Sequence, residues 1–237
     1  MDTRSQILGC VREAIGNTPL VALENITQHL DGRILAKLEM LNPGFSKKDR
    51  AALQIIEDAE ADGSLAPGQT VVELTSGNMG TGLAIVCGNR DYPFVAVMSE
   101  GNSRERARMM SALGAEVLLV TQCPGSRHGY VSGDDLALVE EAAQRITRER
   151  NAFRADQFRL EGNFRAHYLN TGPEIWSQSD ATISAFCDFV GTGGNNAGVA
   201  KYLKEQDDSN KCLVVETEGE AAVAGDTIAC PGHTIKG

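Results

Sequence analysis

Short apolar runs that alternate with helically spaced apolar positions constrain this chain more than any other feature it has. Residues 70–74, 94–98, 116–120, 183–190 and 211–216 read as buried-type strands, and 33–40 as a further strand. Between them, residues 48–62, 80–87, 102–113, 135–150, 163–176 and 199–206 carry apolar positions at helical spacing. That alternation predicts an α/β fold, a mostly parallel twisted sheet flanked by helices. The chain of 237 residues, 42% hydrophobic and 23% charged, is long enough for one large domain or two small ones with a sizeable core. Ser46 reads as the N-cap of the helix starting near Lys47. Asn102 with Glu105 reads as a capping pair, and Ser132 with Asp135 as a capping box after the Gly, Pro and Ser-rich loop 122–134.

The formal net charge of -10 argues against nucleic acid or an anionic membrane as the main partner, because both require a basic face. No apolar run approaches the roughly 20 residues that cross a bilayer, and the residues after Met1 lead into no signal-peptide core, so the expected compartment is the cytoplasm. Cys10, Cys87, Cys123, Cys187, Cys212 and Cys230 show neither a C-x-x-C pair nor the Cys/His spacing of a zinc site, and no metal is expected. Cys87, Cys187 and Cys212 fall in apolar patterns and read as inert filling. His29 and His128 are expected to face solvent.

Three stretches carry candidate chemistry. In residues 42–50, Pro43 and Gly44 break an extended run just before a helix, so a lysine is presented at a helix N-terminus. The helix dipole there disfavours a cation and lowers its pKa, which suits an amine that must be neutral to attack an aldehyde; the plainer reading of Lys47, Lys48 and Arg50 is a solvated basic corner. Residues 75–80 offer two hydroxyls, an amide and backbone N–H groups at a helix start, a site for a carboxylate or an ordinary N-cap. Residues 191–198 lie between strand and helix, so their amides converge into an anion cup that fits a phosphate. A dinucleotide site is the rival there, with Glu216 at the end of the next strand, but Asn196 stands where the third glycine of G-x-G-x-x-G falls.

Residues 15–20 (Ile-Gly-Asn-Thr-Pro-Leu), 42–50, 75–80 (Thr-Ser-Gly-Asn-Met-Gly) and 191–195 (Gly-Thr-Gly-Gly-Asn) occur in the order seen in the cysteine synthase and cystathionine β-synthase family of fold-type II pyridoxal-phosphate enzymes. The chain resembles these tryptophan synthase β-like proteins from about residue 5 to its end. The resemblance implies two α/β domains meeting at a cleft, a smaller one over 40–156 and a larger one over 1–39 and 157–237. It implies pyridoxal 5'-phosphate as cofactor, carried by Lys48, since only Lys48 falls on the family's Ser-x-Lys-Asp-Arg spacing. The phosphate would lie against Gly191, Thr192, Gly193, Gly194 and Asn195, and Asn78 would bond the phenolic oxygen. Thr75, Ser76, Met79 through its backbone, and Gln157 would hold the substrate carboxylate. Met79 and Asn195 both depart from the family's pattern, which has threonine at each. His167 and Trp176 lie in a helical stretch like the family's and read as packing residues.

The function that the resemblance implies is β-replacement on a small amino acid, with cysteine synthesis from O-acetylserine and sulfide as the leading reading and a homodimer as the usual assembly. Cystathionine β-synthase, a serine or threonine dehydratase and a catalytically impaired partner-binding relative are the alternatives. Residues 233–237 look like the family's His-x-Ile-x-Gly, which is normally succeeded by further strands and helices that complete the large domain and supply the hydroxyl facing the pyridine nitrogen. The resemblance therefore implies a C-terminally incomplete chain, with exposed sheet edges and apolar faces, and a residue at the ring nitrogen that this sequence does not identify.

Overall fold

A computed structural model describes residues 7–127 and 129–216. His128, Cys230 and the 233–237 motif lie outside the described residues. The fold is α/β. Its centre is a parallel sheet of β3 (Val71–Leu74), β4 (Phe94–Ser99), β5 (Glu116–Val120) and β6 (Phe153–Arg154), in the spatial order β5, β4, β3, β6. Alternation along the strands divides the core in two. Val71, Phe94, Ala96 and Met98 point to the side covered by α2 (Lys48–Asp62) and α3 (Asn78–Asn89), whereas Val72, Val95 and Val97 point to Val139, Ala142, Ala143 and Ile146 of α5 (Gly133–Glu149). The apolar face of α2 is the one its spacing predicts: Ala51, Ala52, Ile55, Ile56 and Ala59 are all buried. Gly82 lets α3 lie close to it, because a Cβ there would stand 3.1 Å from the Lys48 carbonyl oxygen and from the Ala52 Cβ. The start of α2 is thereby fixed against the first turns of α3.

Two smaller sheets flank this unit. β1 (Leu20–Ala22) pairs antiparallel with β2 (Leu35–Lys37), and β7 (Ala185–Phe189) pairs in parallel with β8 (Lys211–Val215). Between them run α6 (Gly162–Ala166), a π turn over His167–Thr171, α7 (Gly172–Gln178) and α8 (Gly194–Gln206). Ile175, Val199 and Leu203 form a third cluster with Trp176 packed against it. Phe189, Leu213 and Val215 are exposed on β7 and β8. Among the described residues no helix is long and apolar enough to cross a membrane, and no group of three or more His, Cys, Asp or Glu could hold a metal ion.

Several local expectations are corrected. β2 is shorter than 33–40 because a 3-10 turn over Glu39–Leu41 and the buried Asn42 end the extended run. The helix after Ser46 starts at Lys48, with the Ser46 hydroxyl accepting from the Lys48 N–H at 3.1 Å. α4 (Arg104–Ala112) is capped by Ser103, whose hydroxyl accepts from the Arg106 N–H; Asn102 instead accepts from the Ser99 N–H through its side chain. α8 begins within the glycine cluster and not at Val199, and the two-residue β6 and the short α1 (Glu24–Thr27) carry no periodic signal. Cys87 is buried as expected, but Cys187 is exposed on β7. The capping box of Ser132 and Asp135 is present, and Asp135 also accepts from the Gln122 amide, the Cys123 N–H and the Ser126 hydroxyl, so these four residues are gathered around one carboxylate. His29 is exposed.

Candidate active site

The C-terminal ends of β3, β6 and β7 open onto one cleft of about 900 Å³, the position at which open α/β sheets bind their ligands. Lys48, Thr75, Ser76, Asn78, Met79, Gln157, Gly191, Thr192, Gly193 and Asn195 line it. Gly194 does not. It lies buried behind the wall, where an added Cβ would come within 2.6 Å of the Asn163 side chain.

Lys48 reaches across the cleft, donating from Nζ to Thr192 Oγ1 at 2.9 Å. The same hydroxyl oxygen accepts from Asn163 Nδ2 at 2.8 Å, so its own hydrogen is directed away from both donors. Burial, reinforced by the neighbouring Lys47 ammonium, pulls Lys48 from the ordinary lysine value down to about 8. A substantial fraction of neutral amine is therefore present at mildly alkaline pH. The loop before α2 is held shut by Asp49, whose carboxylate accepts from the Gly44 N–H, and burial raises that carboxyl to about 6.

Residues 15–20 do not touch the cleft chemistry; they are part of its foundation. Arg50, almost fully buried, donates from Nε to Glu39 at 2.7 Å and from Nη1 to Glu174 at 2.6 Å, and Thr18 and Asn17 bond the same two carboxylates. Asn42 accepts from the Gly16 N–H at 2.8 Å, tying the turn at 16–19 to the loop that carries Lys48.

In the 75–80 stretch, the Thr75 hydroxyl accepts from the Gly80 N–H at 2.9 Å and thus caps α3, while Ser76 and Asn78 are exposed to the cleft. Met79 sits at the helix start, 2% exposed and packed in the core cluster of α2 and α3 while also bordering the cleft. Gln157 contributes its carbonyl to Asn163 at 3.0 Å. His167 is buried with Nδ1 at 2.9 Å from Thr171 Oγ1, and burial together with the nearby cations holds it neutral. Behind the cleft Glu73 is fully buried against Arg154, and desolvation raises its carboxyl to about 8.

The cup at 191–195 has the character of an anion site. Gly193 takes a left-handed φ of 80° to turn the chain into α8, whose N-terminal amides face the cleft region, and an added Cβ at Gly191 would meet open space. Two buried acceptors beside it, Asn163 Oδ1 and Asn195 Oδ1, have no protein partner. Those two oxygens call for a hydrogen-bond donor and do not hold a phosphate; the donors of the cup are its backbone amides, and a desolvated lysine amine directed at them suits an aldehyde that also carries a phosphate. The residues fit pyridoxal phosphate. We expect Gly193→Val to reduce phosphate-dependent cofactor binding beyond detection, because a β-branched residue is strained at positive φ. Asn195→Thr should leave binding intact or tighter; equal damage from both changes in a cofactor titration would count against the cup as the phosphate site.

The model of the pyridoxal-phosphate dependent enzyme family matches residues 11–235. This chain belongs to that family. Cysteine synthase 3 of Caenorhabditis elegans is 40% identical over 214 residues, 90% of this chain and 61% of that protein. Cysteine synthase of Staphylococcus aureus is 38% identical over 229 residues, 96% and 70% of the two chains. Among solved structures, cysteine synthase from Entamoeba histolytica superposes with a TM-score of 0.88 at 33% identity, covering 99% of this chain and 70% of that one. A hydrogen sulfide-producing enzyme from Fusobacterium nucleatum gives 0.85 at 35% identity, covering 98% and 72%. The chain thus spans about 60–70% of the length of these relatives. Asn163 and Asp188, which bond the lining residues Thr192, Lys47 and Asn195 from behind, are residues that sequence reasoning missed; an asparagine inside a helical run and an aspartate inside an apolar strand were the available signals.

Proposed function

We propose that the chain forms the active-site part of a cysteine synthase, which replaces the acetate of O-acetylserine by sulfide to give cysteine. The observation that carries this reading is the desolvated Lys48 amine bonded to Thr192 at the mouth of the anion cup. Pyridoxal phosphate, when bound, supplies an aldehyde and an electron-withdrawing ring that acidifies the Cα hydrogen of an attached amino acid. Lys48 would hold it covalently, Gly191 to Asn195 would take the phosphate, and Asn78 would donate to the phenolic oxygen. Thr75, Ser76, the Met79 backbone and Gln157 are assigned to the substrate carboxylate, with Thr75 acting chiefly by shaping the α3 start. Lys48 Nζ would also be the base that accepts the Cα proton. Division into a 40–156 unit and a second unit of 1–39 with 157–237 is part of the same proposal. A homodimer in the cytoplasm also belongs to it, with the exposed Ile26, Met40 and Leu41 available for association.

Turnover of O-acetylserine with sulfide, measured as cysteine and acetate, tests the reaction; absence of turnover by protein that binds the cofactor would overturn it. A pH measurement tests the amine. Lys48 is protonated below its pKa, so the rate of cofactor capture by the apo-protein should rise with pH through a midpoint near 8 and level off above it. A midpoint near the ordinary lysine value would mean that the amine is not desolvated.

A further inference from the structure

The cleft has a charged edge that β-replacement does not use. Lys47 occupies the open position of the Ser-x-Lys-Asp-Arg spacing, and its Nζ forms an ion pair with Asp188 Oδ2 while lying 4.4 Å from the centroid of the Phe189 ring. The same Oδ2 accepts from Asn195 Nδ2, and Asn196 Nδ2 donates to the Asp188 backbone oxygen at 3.0 Å. The side chains of Lys47 and Asp188 are only 20% and 17% exposed. A half-buried carboxylate thus rests on the first turn of α8, where the backbone gathers positive character for an incoming anion.

A carboxylate beside a phosphate site repels the phosphate unless a cation neutralises it, and screening by solvent is weak for groups this buried. Lys47 is the cation in contact. Asn195 shows the second consequence, since its amide is turned so that Nδ2 serves Asp188 while Oδ1 is left buried without a partner. The ion pair also joins the start of α2 to the end of β7, two opposite sides of the cleft.

We propose that Lys47 is a positioning residue for the cofactor phosphate, acting through Asp188: it neutralises the carboxylate at the head of α8, so that the cup accepts a phosphate monoester dianion. This rests on the reading of the cleft as a pyridoxal-phosphate site. Lys47 carries no cofactor itself. The pair is conditional in one direction only, because an unpaired aspartate harms the cup while an uncharged residue at 188 makes Lys47 dispensable.

The test is a double-mutant cycle on apo-protein, read as pyridoxal-phosphate affinity from absorbance and fluorescence titration, with circular dichroism confirming that each variant is folded. Lys47→Met should weaken binding about tenfold or more, whereas Lys47→Arg and Asp188→Asn should each stay within about threefold of the unaltered chain. The double variant K47M/D188N should recover to within about threefold. Pyridoxal, which lacks the phosphate, should bind K47M and the unaltered chain within about threefold of each other, measured in the alkaline range where Lys48 is neutral in both. That condition matters because removing Lys47 also relieves Lys48 of a like charge. A double variant as weak as K47M, or equal losses for pyridoxal and pyridoxal phosphate, overturns the inference. No binding of pyridoxal phosphate by the unaltered chain overturns the functional reading and this inference with it; binding without rescue overturns the inference alone.

Discussion

Lys48→Ala is expected to lose at least about 10³-fold in turnover, because it removes both the covalent anchor and the base that takes the Cα proton, and a positioned base alone is worth about 10²–10⁴-fold. Among the described residues no other amine is placed to substitute for it. Lys47, the adjacent candidate, is engaged with Asp188 and stacked on Phe189, and its pairing directs it to the end of β7 instead of to Thr192. Borohydride reduction and then peptide mapping should therefore place the pyridoxyl label on Lys48 in the unaltered chain and on no residue in Lys48→Ala. Label on Lys47, or retained turnover in the alanine variant, would sink the assignment. Fold integrity is not at risk from this change, since among the described residues the Lys48 amine makes one hydrogen bond across the cleft and the α2 core face is formed by Ala51, Ala52, Ile55 and Ile56.

The strands and helices around that lysine were legible because their apolar periods are uninterrupted. Val71 and Val72, or Val95 and Ala96, alternate between the two core faces as a sheet buried on both sides requires. The start of α8 was not legible, since glycine has the lowest helix propensity of the residues present there and Gly194, Gly198 and the two asparagines hide the first turn. They are needed for packing: an added Cβ at Gly198 would stand 2.6 Å from the Phe164 carbonyl oxygen. Within the site, the residues named from local motifs are brought together, and ten of the eleven named line the cleft. Those that act through distant partners were not legible. Asn163 meets Thr192 across 29 positions and Lys47 meets Asp188 across 141, separations at which one sequence carries no pairing signal.

Arg50 shows how much of the stability rests on such distant pairs. Its side chain is 2% exposed and its guanidinium is shared between Glu39 on the turn before the lysine loop and Glu174 on α7, which Lys37 on β2 also contacts at 2.6 Å. Four separate segments meet at one cation. Arg50→Met should cost about 3–5 kcal/mol of unfolding free energy, because it strips Glu39 of its ion-pair partner and leaves Glu174 with Lys37 alone as a paired cation, both carboxylates being mostly buried. The pH dependence gives the sign. Burial alone would raise Glu174, but its bonds to Arg50 and Lys37 outweigh that and hold it at about 2, below the ordinary glutamate value of 4.5. The stabilisation from this depressed carboxyl is fully present above its unfolded-state value and is lost as pH falls from there toward about 2. Urea unfolding near neutral pH and again at about pH 3 should show the unaltered chain losing stability between the two, and Arg50→Met losing much less over the same interval. Equal slopes for the two proteins would mean that the arginine does not hold Glu174 ionised, and that the junction of the turn, the lysine loop and α7 is maintained by packing instead.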